Sequence, residues 1–347
     1  RLGRQDGGTN QVLSTIKSKD NVPFISAPLI FISTLLTHLT GGSAGREGAS
    51  IQFGGSIGSW LAKLVHLDET DHHVMIMCGM SAAFAAVFGT PMAAAVFSME
   101  VVSVGIMYYA ALVPCVIASI IASKFAAGFG INPESFHVVN IPELTIETGL
   151  KMVLVAVACA AISIIFCMAL QGVSKLYAKF LKNPYIRIVA ASAIIIVITL
   201  FLRTSDYMGA GNNLIELAVE NGQARPLDFF WKLVLTALTM RAGFRGGEIV
   251  PSFCIGATFG CIMGHLIGLS PSICAAAGMA ALFCGVTNCP ITSILIAFEL
   301  FGFRGASYYL IAVSISYAVS GYYGLYKDQT IVYSKYKAKY INRHTRF

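Results

Sequence analysis

Residues 41–55 read GGSAGREGASIQFGG and set a base and an acid, Arg46 and Glu47, among glycines between two apolar stretches. Glycines at 41, 42, 45 and 48 oppose a regular helix and let the backbone approach a ligand closely. From about residue 49 to 65 the pattern reads as helix. Glu47 is therefore expected just ahead of a helix N-terminus, where unpaired N–H groups hold a carboxylate or an anion of similar size. A seat that accepts either one is a gate. Protonation releases the side chain, so proton movement and anion movement become linked. At an aqueous surface the same glutamate would be a plain N-cap. Within a membrane segment the gate reading is preferred, with Arg46 balancing local charge.

A second break, GFRGGEIVPSF (243–253), also places glycines and a proline, Pro251, ahead of an apolar helix. Its acid, Glu248, reads either as a water-facing capping carboxylate or as part of an internal proton path. Glu100 and Glu299 close two further apolar runs, which suggests packing or a helix-end role. His72 and His73 follow DETD and are expected in a wetted loop. His265 stands alone in an apolar segment and reads as a hydrogen-bonded structural residue. No metal-ligand spacing, phosphate loop, nucleophile elbow or HExxH is present, so no metal, cofactor or enzymatic activity is expected.

These breaks need a scaffold, and the composition says which kind. Of the 347 residues, 56% are hydrophobic and 12% charged, about half the charge of a soluble domain. Apolar runs recur at 24–40, 49–65, 73–88, 90–127, 148–170, 186–202, 228–242, 251–269, 273–286, 290–303 and 307–325. Several fall short of the ~20 residues a span needs, which suits tilted, discontinuous helices. The net charge of +7 does not indicate nucleic acid, because of where it lies. Lys175, Lys179 and Lys182, and Lys335, Lys337, Lys339 and Arg343, flank apolar runs without acids, and both segments are expected to face the cytoplasm. The loop 131–147, with Glu134, Glu143 and Glu147 and no Lys or Arg, reads as external. The nine cysteines are scattered through apolar segments and read as reduced, packed thiols. No cleavable signal peptide is evident, and the opening RLGRQDGG reads as the interior of a longer chain.

The chain also matches itself. GMSAAFAAVFGTPMAAAVFSME (79–100) aligns without gaps on GMAALFCGVTNCPITSILIAFE (278–299), pairing Pro91 with Pro290 and Glu100 with Glu299. GREGASIQFGGSIG (45–58) follows GEIVPSFCIGATFG (247–260) in the same order, with Gly45, Gly54 and Gly58 on Gly247, Gly256 and Gly260. A duplicated membrane unit is a common transporter architecture, in which broken helices aim their N-termini at an ion near the midplane. The halves expected are 1–130 and 148–347 within a single transmembrane domain, the second closing on a cytoplasmic C-terminal helix. If the first half starts inside, the repeats are inverted. A non-transporting scaffold would instead keep the helix starts at 49 and 251 far apart.

At these residues the sequence resembles the CLC family of chloride channels and anion/proton antiporters, over nearly the whole chain. GREGA resembles the family's GREGP-type motif with Ala49 in place of proline. GEIVP (247–251) resembles its GxFxP motif with Ile249 in place of phenylalanine. GAGNNLI and FGTPMAAAVFSMEV are also similar to family segments. The resemblance implies an all-α polytopic membrane protein with a CLC-type inverted repeat of tilted, discontinuous helices. It implies a homodimer in the lipid of the cell membrane, with one pathway per subunit and Glu47 as the external gating glutamate. SGYYGLYKDQTIVYS (320–334) resembles the start of the last helix, where a tyrosine hydroxyl coordinates the central anion; Tyr326 matches best, ahead of Tyr322 and Tyr323. Two more helices normally precede the first anion motif.

The departures point within the family. The first anion motif is GSGIP in chloride-type members, whereas DGGTNQV (6–12) stands here, placing Gly7, Gly8, Thr9 and Asn10 at the anion. The internal proton-transfer glutamate of many members falls on Val101. RGGEIVP resembles the fluoride-selective branch, which also favours an asparagine at the first motif, as Asn10 supplies. Fluoride is strongly hydrated and needs close, strong donors to replace water. Asn10, the helix N–H groups at Ile249 and Val250, and Tyr326 are the expected donors. The leading expectation is a fluoride/proton antiporter exporting fluoride. A chloride/proton antiporter or passive chloride channel is the alternative.

Overall fold

The computed structural model describes residues 8–16, 22–337 and 339–346. Fourteen helices form among them: α1 (Thr9–Thr15), α2 (Ser26–Leu39), α3 (Glu47–Leu64), α4 (Glu69–Phe88), α5 (Pro91–Glu100), α6 (Leu112–Gly128), α7 (Ile146–Phe180), α8 (Pro184–Leu202), α9 (Asn212–Glu220), α10 (Asp228–Ala242), α11 (Ile249–Ile267), α12 (Pro271–Thr287), α13 (Pro290–Phe301) and α14 (Ala306–Val319). Five apolar helical stretches are long enough to cross a membrane: Glu69–Phe88, Tyr109–Gly128, Ile146–Phe180, Pro184–Leu202 and Ile249–Ile267. Others, such as α2, α12 and α13, are apolar but shorter. The discontinuous pattern expected from the sequence is the one observed. α8 leaves Val189, Ile196, Val197, Leu200 and Phe201 exposed, an apolar side in keeping with a membrane-spanning helix.

The repeated glycines explain how the helices pair. α3 crosses α4 where a Cβ on Gly54 would run into the Gly79 carbonyl and one on Gly58 into the Met75 carbonyl. α11 crosses α12 at the matching residues, Gly256 against the Gly278 carbonyl and Gly260 against the Cys274 carbonyl. Close approach through small residues is how helices associate where no hydrophobic driving force exists. Between these pairs lies a buried aromatic chain. Phe84 stacks on Phe97 with centroids 5.1 Å apart, Phe97 meets Phe283 at 6.2 Å, Phe283 meets Phe253 at 5.0 Å, and Phe253 meets Phe88 at 6.0 Å.

The two matched glutamates serve as helix ends. Glu100 closes α5, and its carboxylate accepts from Ile291 N (3.1 Å) and from Thr292 N and Oγ1 (2.8 and 2.6 Å) at the start of α13. Glu299, near the end of α13, accepts from Met92 N and Ala93 N (both 2.9 Å) at the start of α5. Each of these helices begins with proline, whose missing N–H costs nothing there. Because each C-terminal acid caps the other's N-terminus, α5 and α13 run antiparallel, related by an approximate two-fold. The connection between α6 and α7 straps this layer: Glu134 N donates to Phe88 O (3.0 Å) and Phe136 N to Leu300 O (2.8 Å).

Three expectations need correction. The segment after α14 is not a helix: Thr330–Tyr333 forms strand β2, antiparallel to β3 (Tyr340–His344) and parallel to the short β1 (Ser103–Val104). Thr330, Ile331, Val332 and Tyr333 are β-branched or aromatic and favour an extended chain over a helix. His72 and His73 lie in α4 rather than a loop, after an Asp68 N-cap that accepts from Asp71 N (2.9 Å), and His72 Nε2 meets Ser59 Oγ at 3.0 Å. Glu47 is the first residue of α3 itself rather than standing just before it. His265 is tied as expected, with Nε2 at 2.8 Å from Gly222 O.

Candidate functional site

The two glycine breaks meet face to face. Gly45 N donates to Gly247 O at 2.8 Å and Gly247 N to Gly45 O at 2.6 Å, an antiparallel bridge that sets the starts of α3 and α11 against one another. Helix starts held apart, which a mere scaffold would have shown, are not what the chain builds. The first break is fastened from a third side by the turn before α9, where Ala44 N donates to Gly209 O (3.1 Å) and Gly209 N to Gly42 O (2.9 Å).

Glu47 sits in this crossing, 1% exposed. Its Oε1 accepts from Arg46 N (2.9 Å), and its Oε2 faces Val250 N in α11 at 3.4 Å. A single carboxylate thus spans the starts of two helices, where N–H groups have no intrahelical partners and the dipoles favour negative charge. The glycines make the room. A Cβ on Gly45 would overlap the carboxylate, and one on Gly247 would lie 2.6 Å from Oε2 and 2.7 Å from Gly48 N.

A cleft of about 130 Å³ opens beside the crossing. Of the residues predicted from sequence, Gly8, Thr9, Asn10, Glu248, Ile249 and Tyr326 line it. Val250 does not line it but points its N–H at Glu47. Gly7 lies outside the described residues. Thr9 Oγ1 ties α1 to the start of α3 through Gly48 O (3.1 Å). The Oδ1 of Asn10 is buried without a hydrogen-bond partner. Tyr326 is buried, and its backbone carbonyl is held by Thr345 Oγ1 (2.7 Å) and Gln329 N (3.2 Å). Neither of the other two tyrosines lines the cleft, and Tyr322 Oη is engaged with Ser334 Oγ (2.9 Å).

Glu248 is the N-cap residue of α11, yet its side chain makes no cap hydrogen bond. It pairs instead with Arg241 Nη2 at 2.7 Å, both side chains being largely buried. Arg241 and Arg245 also line the cleft, and sequence reading had singled out neither. A basic side chain seven residues ahead of Glu248, across a glycine turn, was the available signal. Val101 is fully buried, and its carbonyl accepts from Gln329 Nε2 (3.0 Å), so no acid stands at that position.

On another side, a cavity lined by His38, Arg46, Ala49, Ser50 and Asn212 reaches the start of α3. Arg46 turns its guanidinium to Glu134 (3.4 Å), which also accepts from Asn212 Nδ2 (3.1 Å). Burial pushes the Glu134 carboxyl above its usual range, and the Arg46 charge partly offsets this. Among the described residues no group of three or more His, Cys, Asp or Glu is placed to hold a metal.

Comparison with known proteins agrees with this geometry. The family model described as "Voltage gated chloride channel" matches residues 1–321. A "Chloride/fluoride channel protein" of Pseudomonas syringae pv. tomato is 32% identical over 338 residues, covering 95% of this chain and 75% of that protein. The "H(+)/Cl(-) exchange transporter ClcA" of Vibrio cholerae is 25% identical over 272 residues, covering 74% of this chain and 58% of that protein. Among solved structures, a CLC-type fluoride/proton antiporter superposes with TM-score 0.89 at 33% identity, covering 93% of this chain and 82% of that one. A slow cyanobacterial Cl−/H+ antiporter shares the fold, with TM-score 0.76 at 19% identity over 90% of this chain and 76% of that one. Paired helix breaks held by one glutamate, in a chain matched almost end to end, identify the protein as a polytopic membrane transporter of the voltage gated chloride channel, or CLC, family.

Proposed function

We propose that the protein is a fluoride/proton antiporter of the cell membrane that exports fluoride. The observation that carries this reading is the Glu47 carboxylate bridging Arg46 N and Val250 N at the starts of two helices. Those N–H groups serve an anion as well as they serve a carboxylate. When Glu47 takes a proton it loses its hold on them, and the seat becomes free for a transported ion. The proton carried off by Glu47 is then the coupling step.

Selectivity follows from the donors beside the seat. Fluoride gives up a tight hydration shell only to short, strong donors. Asn10, whose amide N–H groups can donate to an anion, Thr9 and the Gly8 backbone line the cleft from α1, while Ile249 and Tyr326 face them. Their placement supports a small anion at that point, and Gly7 belongs to the same motif. Glu248 serves the inner proton path in place of an acid at 101. The likeness to a fluoride/proton antiporter at 33% identity favours this branch. The two halves, 1–130 and 148–347, form one inverted repeat, and two copies of the chain associate as a homodimer in which each subunit conducts on its own.

The test is flux from proteoliposomes, with anion and proton movement recorded together. Fluoride is expected to move against protons, and chloride far more slowly. Chloride moving as fast as fluoride would overturn the selectivity and favour a chloride/proton exchanger. Fluoride flux without protons would overturn antiport. In Glu47→Gln, fluoride is expected to leak passively with proton coupling gone, and unchanged proton stoichiometry would remove Glu47 from the gate.

A further inference from the structure

α10 carries a lysine that the gate mechanism above does not use. Lys232 lies in the apolar run DFFWKLVLTALTM and is 0% exposed. Its Nζ donates to Tyr207 O (3.1 Å) and Gly209 O (2.7 Å). Among the described residues it forms no ion pair. An ammonium buried on neutral carbonyls alone loses several kcal/mol of hydration that they do not restore, so something must use its charge.

The surroundings say what. Gly209 O, which takes the lysine's shorter bond, also accepts from Ala44 N, two peptides before Arg46. The same face of α10 grips the first break further along, through Thr236 Oγ1 to Ser43 Oγ (3.0 Å) and Ser43 N to Thr239 Oγ1 (3.2 Å). Residues 232, 236 and 239 recur at helical spacing, so one stripe of α10 fixes the segment leading into the gate. The charged and titratable groups around Lys232 are few. Asp228, one turn away on α10, is already engaged by Arg225 N and Nε and by Tyr207 Oη. Cys254 approaches from α11 and packs with the lysine against Gly211. His38 approaches from α2 against Gly209. The carboxylate this linkage leads to is Glu47, whose Oε1 accepts from Arg46 N two residues beyond Ala44 and which has Arg46 and, through it, Glu134 on its other side.

We propose that Lys232 is a positioning residue for the transported anion, a fixed buried cation behind the first helix break whose field holds negative charge in the Glu47 seat, whether that charge is the tethered carboxylate or the free ion. Unlike Arg46, it is shielded from solvent, so its field is weakly screened. It does not touch the ion; it acts through the Ala44–Glu47 segment and through space. The proposal rests on Glu47 being the gate, and the experiment separates the two.

Three variants of the full chain are compared in proteoliposomes. Lys232→Gln keeps an N–H donor for the carbonyls and removes the charge, Lys232→Arg keeps the charge, and Lys232→Met removes both. Removing a cation beside a carboxylate disfavours its ionised form, so the gate protonates more readily. In Lys232→Gln the pH of half-maximal proton-coupled flux is expected to rise by about one unit, a tenfold change in proton concentration. The fluoride concentration for half-maximal flux is expected to rise about tenfold, with Lys232→Arg close to the parent in both. In Glu47→Gln/Lys232→Gln the weakened fluoride dependence should persist while the pH shift vanishes, because nothing at 47 titrates. A folded Lys232→Gln with the parent's pH profile and fluoride dependence would reduce the lysine to a tie between loop and helix and overturn the proposal. If Glu47→Gln alone keeps its proton coupling, the gate reading falls, while the fluoride dependence of Lys232→Gln still reports on the field. Lys232→Met is expected to follow Lys232→Gln in both readouts, and a folded Lys232→Met that behaves as the parent would overturn the proposal.

Discussion

Gly45 and Gly247 exchange hydrogen bonds across the chain, N to O in both directions at 2.8 and 2.6 Å, and neither position has space for a side chain. This bridge is the joint between the two helix breaks, and the Glu47 carboxylate is packed against both glycines. Substituting Gly247→Ala would put a Cβ 2.6 Å from Glu47 Oε2. The same Cβ would lie 2.7 Å from Gly48 N, so the starts of the two helices must part slightly as well as the carboxylate give way. Gly247→Ala is expected to expel Glu47 from its seat, leaving anion flux in place and proton coupling reduced at least tenfold, at a stability cost of about 1–3 kcal/mol. Paired anion and proton flux measurements check it; a variant with full coupling would mean that the carboxylate has room to spare.

Much of this arrangement can be read from the sequence because breaks and caps are local events. Glycines 41, 42, 45 and 48 and the prolines at 91, 251 and 290 announce where helices begin, and the self-match carries the pairing of α3–α4 with α11–α12. Asn10 and Ile249 fall at one cleft because each lies at such a boundary, while Tyr326 reaches it from the irregular segment after α14. Contacts between distant segments carry no comparable signal. Glu100 and Glu299 stand out as matched acids, but nothing local says that each caps a helix 191 to 207 residues away. Lys232 is visible as a lone lysine in an apolar run, while its acceptors are carbonyls, which leave no trace in side-chain pattern. The helix expected after Ser320 failed because resemblance outweighed the β-branched run at 330–333.

The reciprocal caps predict a stability effect separable from transport. Glu100 satisfies two backbone donors and one hydroxyl at the buried start of α13. Glu100→Ala leaves them unpaired, and a loss of about 2–3 kcal/mol is expected, with Glu100→Gln losing less because it keeps an acceptor. Thermal unfolding in detergent gives the ordering. Equal stability of all three proteins would show that water replaces the carboxylate without loss.

A pH effect on stability is expected outside the membrane layer. Asp206, between α8 and α9, is held below its ordinary range by hydrogen bonding at Thr204 and by the Arg225 guanidinium 2.6 Å away. A carboxyl depressed by folding contributes stability that is present above its unfolded value of about 3.9 and lost as pH falls through the folded value. Arg225 is half exposed, so the contribution is screened. Asp206→Asn is expected to be less stable than the parent by under about 1 kcal/mol at pH 7, with the difference closing towards pH 3. A difference that stays constant with pH would assign the effect to hydrogen bonding rather than charge.

Glu248 and Arg241 give the sharpest test of the inner proton path. They form a 2.7 Å pair at the cleft that also holds Asn10 and Tyr326. Position 101, where an acid would otherwise serve, is a buried valine whose carbonyl is already bound by Gln329. Glu248→Gln preserves size and one acceptor oxygen but cannot carry a proton. Fluoride flux is expected to continue with proton coupling reduced tenfold or more, and loss of the Glu248 negative charge beside the cleft should lower the fluoride concentration needed for half-maximal flux. Arg241→Met is expected to act in the opposite sense on fluoride, because it leaves the Glu248 charge facing the cleft. Reversal potentials under a proton gradient give the stoichiometry directly. Should Glu248→Gln keep it, protons reach Glu47 by another route, and the pair at the cleft would tune anion affinity alone.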